Sequence, residues 1–155
     1  MEMKKIASFT INHDVLTPGM YVSRVDGDVV TYDLRMKKPN GGDYLAVGAM
    51  HTLEHLLATY ARSSALADGV VYVGPMGCRT GFYLLLRDTV TRTQAVALAR
   101  DALRFAADFD GAVPGVSARE CGNYREHDLP AARAEARAML PVLAHWTAED
   151  MVYPV

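Results

Sequence analysis

The stretch His51-Thr52-Leu53-Glu54-His55 is the part of this 155-residue chain on which its fold and chemistry both centre. It lies in a segment rich in Ala, Leu and Met, residues 46–66, which predicts a helix that is apolar on nearly all sides and therefore buried. Histidines four positions apart share one helical face, with Cβ atoms about 5–6 Å apart, and Glu54 emerges on the same side. Two histidines at this spacing favour a metal site over unrelated core histidines, because buried polar groups need partners.

Two histidines leave a metal site incomplete, so a further ligand must come from elsewhere in the chain. Cys121 is the best candidate, since it follows a turn that Ser117 and Glu120 are expected to cap. A set of two histidines and one cysteine keeps a fourth position for water or substrate, as catalytic sites do. Other candidates in the same stretch are Glu120, Glu126, His127 and Asp128.

Composition and charge exclude several classes of protein. Half of the residues are apolar, 22% are charged and the net charge is −2, which is typical of a soluble globular protein and gives no electrostatic basis for binding nucleic acid or an anionic membrane. The sequence shows neither a membrane-spanning stretch nor a signal-peptide pattern. We therefore expect a cytoplasmic protein with residues 1–155 as one domain, and cysteines that serve as thiols or metal ligands.

The predicted elements are strands mixed with helices. Strands are expected at residues 6–11, 21–25, 29–36, 70–73 and 80–86, and helices at 46–66 with a stop near Gly69, from Thr91 to Phe109, and from Pro130 onward. Asp26-Gly27-Asp28 predicts a hairpin, and alternation puts Arg35 on the polar face of its strand. This mixture indicates an α+β fold, with an antiparallel sheet and helices packed on one face.

The remaining chemistry of the sequence is compatible with three functions. Cys78 lies in a Gly-flanked turn, where it is either a thiol facing a cleft or a small buried side chain. Glu54 suits a general base acting on water or an acid/base beside a sugar. The corresponding functions are an inverted-motif (His-x-x-Glu-His) zinc hydrolase or peptidase and metal-assisted proton transfer on a carbonyl sugar. The third is a zinc-stabilised binding domain.

Motifs along nearly the whole chain resemble those of the S-ribosylhomocysteine lyase family. They are Ser8-Phe9 with His13, Tyr32-Asp33-Leu34-Arg35 with Lys38-Pro39-Asn40, residues 51–57, residues 74–81, Glu120-Cys121-Gly122-Asn123, and His127-Asp128-Leu129. Several motifs in one order and spacing are far more specific than the five-residue signature alone. The resemblance implies an α+β fold and a homodimer in which two subunits build two active sites across their interface.

The resemblance also implies roles for the residues that carry the chemistry. His51, His55 and Cys121 would hold one divalent metal per subunit, Fe(2+) natively, for which Zn(2+) or Co(2+) can substitute. Cys78 would be a proton-carrying base and Glu54 a second acid/base. The implied reaction moves a carbonyl along the opened ribose of S-ribosylhomocysteine. It then eliminates homocysteine and leaves 4,5-dihydroxy-2,3-pentanedione, the precursor of the autoinducer-2 signal.

Substrate recognition is the part of the resemblance in which this chain departs from the family. Ser8, His13, Arg35 and Arg62 match positions that line the family's substrate pocket. Many members, however, carry Asp and Ser at the positions held here by Tyr72 and Gly74. Because that Asp is associated with the amino-acid end of the substrate, we expect either another acid in its place or weaker binding. A variant lyase that acts on a related ribosyl thioether is the alternative.

Overall fold

The computed structural model describes residues 1–155 and shows a four-stranded antiparallel sheet with three helices, which confirms the predicted α+β class. The strands are β1 (Gly19–Asp26), β2 (Val29–Arg35), β3 (Val70–Pro75) and β4 (Gly81–Arg87), and the helices are α1 (Val47–Ser63), α2 (Arg92–Asp108) and α3 (Leu129–Leu143). The strand order is β1-β2-β4-β3. None of the helices has the length and apolar character that a membrane crossing requires.

The predicted hairpin joins β1 to β2. Asp26 pairs with Val29, so a two-residue turn connects the strands, and Gly27 adopts the positive φ of +59° that such a turn requires. On one face of the sheet, Tyr32 lies opposite Leu84, and both are buried in the core against the helices. Period-two alternation therefore sets which face of the sheet the helices cover.

At the C-terminal end of β2, side chains on the opposite face of the sheet are buried as well. Arg35 lies on this face, as alternation predicts, but it is only 2% exposed rather than solvated. Its guanidinium donates to both carboxylate oxygens of Asp33, at 3.1 and 2.6 Å, and the Tyr153 hydroxyl donates to the same carboxylate at 2.7 Å. A fully buried charge needs such compensation, and here an ion pair and a phenol supply it.

Helix α1 is shorter and more exposed than the sequence indicates. It ends at Ser63 rather than near Gly69, because Ser64 turns to an extended backbone and its hydroxyl donates to the Ala61 carbonyl. A separate 3₁₀ turn, Ala67–Gly69, then leads into β3. Thr59 and Arg62 are exposed, so α1 buries one face and is not enclosed on all sides.

Helices α2 and α3 begin at the residues that capping chemistry favours. Thr91 and Gln94 form the predicted capping box of α2. Asp128 caps α3 by accepting from the Ala131 N–H, and Pro130 lies in the first turn of that helix, where a missing N–H costs nothing. The start of α3 is therefore fixed directly after the segment that contributes to the site.

The strand predicted at residues 6–11 is wrong, since Ala7–Thr10 forms a 3₁₀ turn. The free edge of β1 is instead covered by a later part of the chain. Val22 donates its N–H to the Met151 carbonyl, and the Trp146 indole donates to the Met20 carbonyl at 2.7 Å. The Trp146 ring fills the space above Gly19, where a Cβ would lie 2.4 Å from the ring.

Candidate functional site

Four side chains with metal-binding atoms converge beside the first half of α1. They are His51, His55, Cys121 and His127, and one potential ligand atom from each lies within 4.8 Å of all the others. All four are partly buried. The first three are the residues that the sequence indicated as a ligand set.

Backbone carbonyls fix the tautomers of two histidines in this cluster. His51 Nδ1 lies 2.9 Å from the Glu126 carbonyl, and His55 Nδ1 lies 2.7 Å from the Pro114 carbonyl. Because a carbonyl only accepts, each Nδ1 carries the hydrogen and each Nε2 has a free lone pair. A histidine that donates its second nitrogen to a carbonyl in this way is typical of metal sites.

The free nitrogens meet the sulfur of Cys121 at distances that fit an ion. Cys121 Sγ lies 3.4 Å from His51 Nε2 and 3.9 Å from His55 Nε2. Bonds of about 2.3 Å to sulfur and 2.05 Å to nitrogen at a tetrahedral angle would place those atoms about 3.6 Å apart. The three side chains therefore have the chemistry and spacing to hold a divalent ion.

Ring orientation separates His127 from this set. Its ring stacks on His51 with centroids 3.9 Å apart and planes inclined by 26°, whereas His51 and His55 are nearly perpendicular at 83°. An ion bound to imidazole nitrogen lies in the ring plane. The planes of two stacked, nearly parallel rings intersect only far from both rings, so no ion close to both can lie in both planes. His51 and His127 in these orientations therefore cannot share an ion, whereas His51 and His55 can.

The other alternative ligands are engaged elsewhere. The Glu120 carboxylate accepts from Ser117, the Glu126 carboxylate accepts from Asn123, and Asp128 caps α3. The turn that was expected before Cys121 is present, since the Cys121 N–H donates to the Ser117 carbonyl at 3.0 Å. This turn places the sulfur under α1.

His127 has an environment of its own. Its Nδ1 lies 3.0 Å from the Thr52 hydroxyl, whereas its Nε2 is buried and has no hydrogen-bond partner. Burial, followed by the neighbouring His51 and His55, lowers the pKa of His127. The ring therefore favours the neutral state where it faces the cluster.

Close backbone approach holds these elements together. The Asp128 N–H donates to the Thr52 hydroxyl and to the Gly48 carbonyl, and a Cβ on Gly48 would lie 3.2 Å from that of Asp128. Gly115 has a φ of +74°, and a Cβ at this position would lie 3.1 Å from His55 Nδ1. Both loops therefore pack directly against α1.

A cleft of about 420 Å³ opens beside His55, and Glu54 lines it. Arg62 and Tyr72 form part of its wall. The Arg62 guanidinium donates to the carbonyls of Val70 and Val71, at 3.1 and 2.9 Å, so it is held along β3. Glu54 is the only carboxylate among the lining residues.

Cys78 lies in a different cleft, of about 260 Å³, which His13 and Arg35 also line. Its exposed thiol lies 3.0 Å from the Thr80 hydroxyl, which accepts from the Arg35 guanidinium at 2.8 Å. Burial lowers the pKa of Arg35, but the hydrogen bonds and attraction to Asp33, with a smaller attraction to Cys78, outweigh it, so the pKa of Arg35 is raised. The chain thus presents a thiol, a hydroxyl and a cation in one small cleft.

The structure does not bring every residue indicated by the sequence together. Ser8 lines a third cleft with Ser23 and Thr31, apart from both Cys78 and Glu54. Thr52 and Thr80, which position His127 and Cys78, were missed by sequence reasoning. Thr52 occupies a variable position inside the His-x-x-Glu-His motif, so only the fold reveals its partner.

Comparisons with known proteins all lead to one family. A family model described as S-ribosylhomocysteinase (LuxS) matches residues 6–150 of the chain. S-ribosylhomocysteine lyase of Phocaeicola vulgatus is 49% identical, with 98% of each chain covered. The proteins of the same name from Clostridium acetobutylicum and Porphyromonas gingivalis are 47% and 46% identical, with 98% of this chain and 99% of each relative covered.

Proposed function

The chain belongs to the S-ribosylhomocysteine lyase (LuxS) family, and from this we propose that it cleaves the carbon–sulfur bond of S-ribosylhomocysteine. The products would be homocysteine and 4,5-dihydroxy-2,3-pentanedione. The observation that carries this proposal is the convergence of His51, His55 and Cys121 at ligand distances in a chain with lyase relatives over nearly its full length. A family match over residues 6–150 leaves the inverted-motif peptidase without support.

His51, His55 and Cys121 would hold one divalent ion, and Fe(2+) is the native ion that we propose, with Zn(2+) or Co(2+) as substitutes. When bound, the ion withdraws electron density from oxygens of the substrate and makes the neighbouring C–H bonds more acidic. The carbonyls that fix both histidine tautomers, those of Glu126 and Pro114, keep the two Nε2 lone pairs available for it.

Two side chains would move the protons. The Cys78 sulfur, as a thiolate, takes a proton from the hydroxyl-bearing carbon beside the carbonyl and returns it to the carbonyl carbon. The hydroxyl proton passes to the former carbonyl oxygen, so the carbonyl moves one carbon along the sugar. The Thr80 hydroxyl accepts from Arg35 and can turn its own hydrogen towards this sulfur. The Glu54 carboxylate removes the proton from the carbon adjacent to the one that bears sulfur. The electron pair of that C–H bond forms a C=C bond as the C–S bond breaks, and the proton passes from Glu54 to the leaving sulfur, so that homocysteine leaves as the thiol.

The two clefts support a site shared between subunits. Cys78 and Glu54 line separate clefts of one chain, yet the reaction needs both on one substrate. We therefore propose a homodimer in which the Cys78 cleft of one subunit faces the Glu54 cleft of the other. Tyr44, which lines the Cys78 cleft, is 38% exposed, and Val47, three residues further along the chain, is 44% exposed, as an interface would require. His13, Arg35 and Arg62, which line these two clefts, would bind the substrate there. We also propose Ser8 as a substrate-binding residue, which requires that the dimer bring its separate cleft to the same site.

A thiol-release assay on the iron-loaded protein tests the activity. We expect wild-type protein to release homocysteine, and Cys78→Ala and Glu54→Gln to lose at least about 100-fold in kcat, as loss of an acid/base group does. His145→Ala is a matched control, because His145 is exposed and lies outside the cluster. Wild-type protein that releases no thiol would refute the proposal, and full turnover by Cys78→Ala would refute the role of that sulfur.

Mixing the two inactive variants tests whether the site is shared. If Cys78 and Glu54 of different subunits act together, a mixed dimer of Cys78→Ala and Glu54→Gln subunits contains one intact site. Random reassortment would then restore about a quarter of wild-type activity. If both groups act within one subunit, every site keeps one defect and the mixture stays inactive.

A second candidate function is cleavage of a related ribosyl thioether that lacks the amino group. The observation that favours it is Tyr72, which lines the Glu54 cleft where many family members carry Asp. In either case we propose that the chain forms one domain over residues 1–155, acts in the cytoplasm and supplies the autoinducer-2 precursor.

A further inference from the structure

His127 is the one member of the four-residue cluster that the proposed reaction does not use. It lies among the candidate ligands, but its stacking on His51 prevents both rings from holding one ion. Its Nε2 is buried without a partner. An unpaired buried N–H or lone pair is costly, so an atom left in this state beside a reaction site indicates a ligand that arrives later.

The hydrogen bonds around Thr52 decide which ring nitrogen of His127 carries the hydrogen. The Thr52 hydroxyl accepts from the Asp128 N–H at 3.0 Å, and its one hydrogen needs an acceptor. His127 Nδ1, at 3.0 Å, is the only acceptor within hydrogen-bond distance. The hydroxyl therefore donates to Nδ1, and the imidazole hydrogen is on Nε2. His127 thus presents an N–H donor, whereas His51 and His55 present lone pairs.

We propose that His127 Nε2–H donates to an oxygen of the substrate when the substrate binds against the cluster of His51, His55, Cys121 and His127. This rests on the proposed lyase function, in which negative charge develops on the sugar's carbonyl and hydroxyl oxygens when a neighbouring carbon loses its proton. A fixed donor aimed at that position stabilises the charge without reorganisation. The Thr52 hydroxyl, itself held by the Asp128 N–H, bonds His127 Nδ1, and this bond and the stack on His51 hold the ring in place before the substrate arrives.

The tautomer is measurable on the intact wild-type protein. In zinc-loaded protein with ¹⁵N-labelled histidine, long-range ¹H–¹⁵N correlations distinguish the two ring nitrogens. We expect His51 and His55 to carry their hydrogen on Nδ1 and His127 to carry it on Nε2. A His127 ring with its hydrogen on Nδ1, or with Nε2 bound to zinc, would overturn the proposal whether or not the protein has lyase activity.

Substitution of His127 distinguishes a hydrogen-bond donor from a metal ligand. We expect His127→Ala to lower kcat about 100- to 1,000-fold, as removal of an oxyanion donor does, with KM changed much less. His127→Gln, whose amide N–H can donate, should recover part of this loss. Metal content and the cobalt absorption spectrum should match wild type in both. An unchanged kcat in His127→Ala, or loss of metal from it, would contradict the proposal.

Thr52→Val tests the same arrangement without changing the ring. The substitution keeps the side-chain shape but removes the hydroxyl that fixes the tautomer, so we expect a mixed tautomer signal and about a 10-fold lower kcat. His145→Ala should change neither. If wild-type protein releases thiol but the His127 and Thr52 variants do so equally well, only this inference fails. If wild-type protein releases none, the proposed function fails, and the nitrogen correlations still decide the tautomer.

Discussion

The ring of Tyr72 lies directly over Gly74, so that a Cβ on residue 74 would fall 2.3 Å from the Tyr72 hydroxyl oxygen. The two residues lie on the same face of β3, two positions apart. Tyr72 and Gly74 are therefore one structural unit, because the Tyr72 ring occupies space that is free only while residue 74 has no side chain. The Tyr72 ring forms part of the wall of the Glu54 cleft.

Gly74→Ser should displace the Tyr72 ring. Because that ring is 55% exposed, it can swing outward, and the free energy of unfolding should change by less than about 1 kcal/mol. KM should change, since one wall of the cleft has moved. Urea unfolding and steady-state kinetics measure the two effects. In a Tyr72→Ala background the same substitution should have no effect on KM, and an equal effect in both backgrounds would rule out the coupling.

Tyr72→Asp should lower KM for S-ribosylhomocysteine and leave kcat nearly unchanged. The cleft has no carboxylate besides Glu54, so a new one can pair with the substrate's ammonium group. Tyr72→Asn is the neutral control of the same shape. A substrate analogue without the amino group should show no difference between the two variants. Equal KM values for both variants with the natural substrate would mean that position 72 does not bind the ammonium.

Cys121→Ser should weaken metal binding by more than about 100-fold, since loss of an outer partner alone costs 10- to 100-fold. As a ligand, Cys121 would supply negative charge to the ion, and its sulfur lies at ligand distance from the Nε2 atoms of His51 and His55. Competition with a chelator measures affinity, and cobalt-loaded protein should lose its sulfur charge-transfer absorption. Cys78→Ser should keep both properties, because Cys78 lies outside the cluster. Normal binding by Cys121→Ser would exclude this cysteine as a ligand.

Tyr153 should make the protein less stable in alkali. Burial and the neighbouring Asp33 raise the pKa of Tyr153 above its ordinary value near 10. Above about pH 10 the unfolded chain releases this proton while the folded chain retains it, so stability is present below pH 10 and falls as the pH rises. Between about pH 10 and 12 the wild-type free energy of unfolding should fall by up to about 1.4 kcal/mol per pH unit more than that of Tyr153→Phe. Parallel pH profiles would contradict this.

Local chemistry in the sequence predicted most of the fold. The Thr91 capping box, the Gly27 hairpin and Pro130 at the start of α3 act within a few residues, and the structure shows all three. The strand expected at residues 6–11 failed for a non-local reason, since Met151 already pairs with the edge strand β1. Helix α1 ends early, at Ser63, where the Ser64 hydroxyl donates to the Ala61 carbonyl, and the expectation that a helix ends at a glycine does not include such a bond.

The site could be predicted in its parts but not in its assembly. Helical spacing predicted that His51 and His55 lie together, and the turn before Cys121 made that residue the best third candidate. The structure brings the Cys121 sulfur to both histidines, 66 residues along the chain from His55. No pattern in the sequence shows that Cys78 and Glu54 line separate clefts. Nor does any pattern show that a threonine hydroxyl controls the His127 ring, because that contact spans 75 positions and exists only after folding.

The bond from the Trp146 indole to the Met20 carbonyl has a practical consequence. Trp146 is the only tryptophan in the chain, so all indole fluorescence comes from the point where residues 146–151 cover the edge of β1. Emission wavelength should therefore report the seating of that segment specifically. A red shift that precedes loss of helical circular dichroism on heating would show the segment peeling away before the rest of the molecule melts.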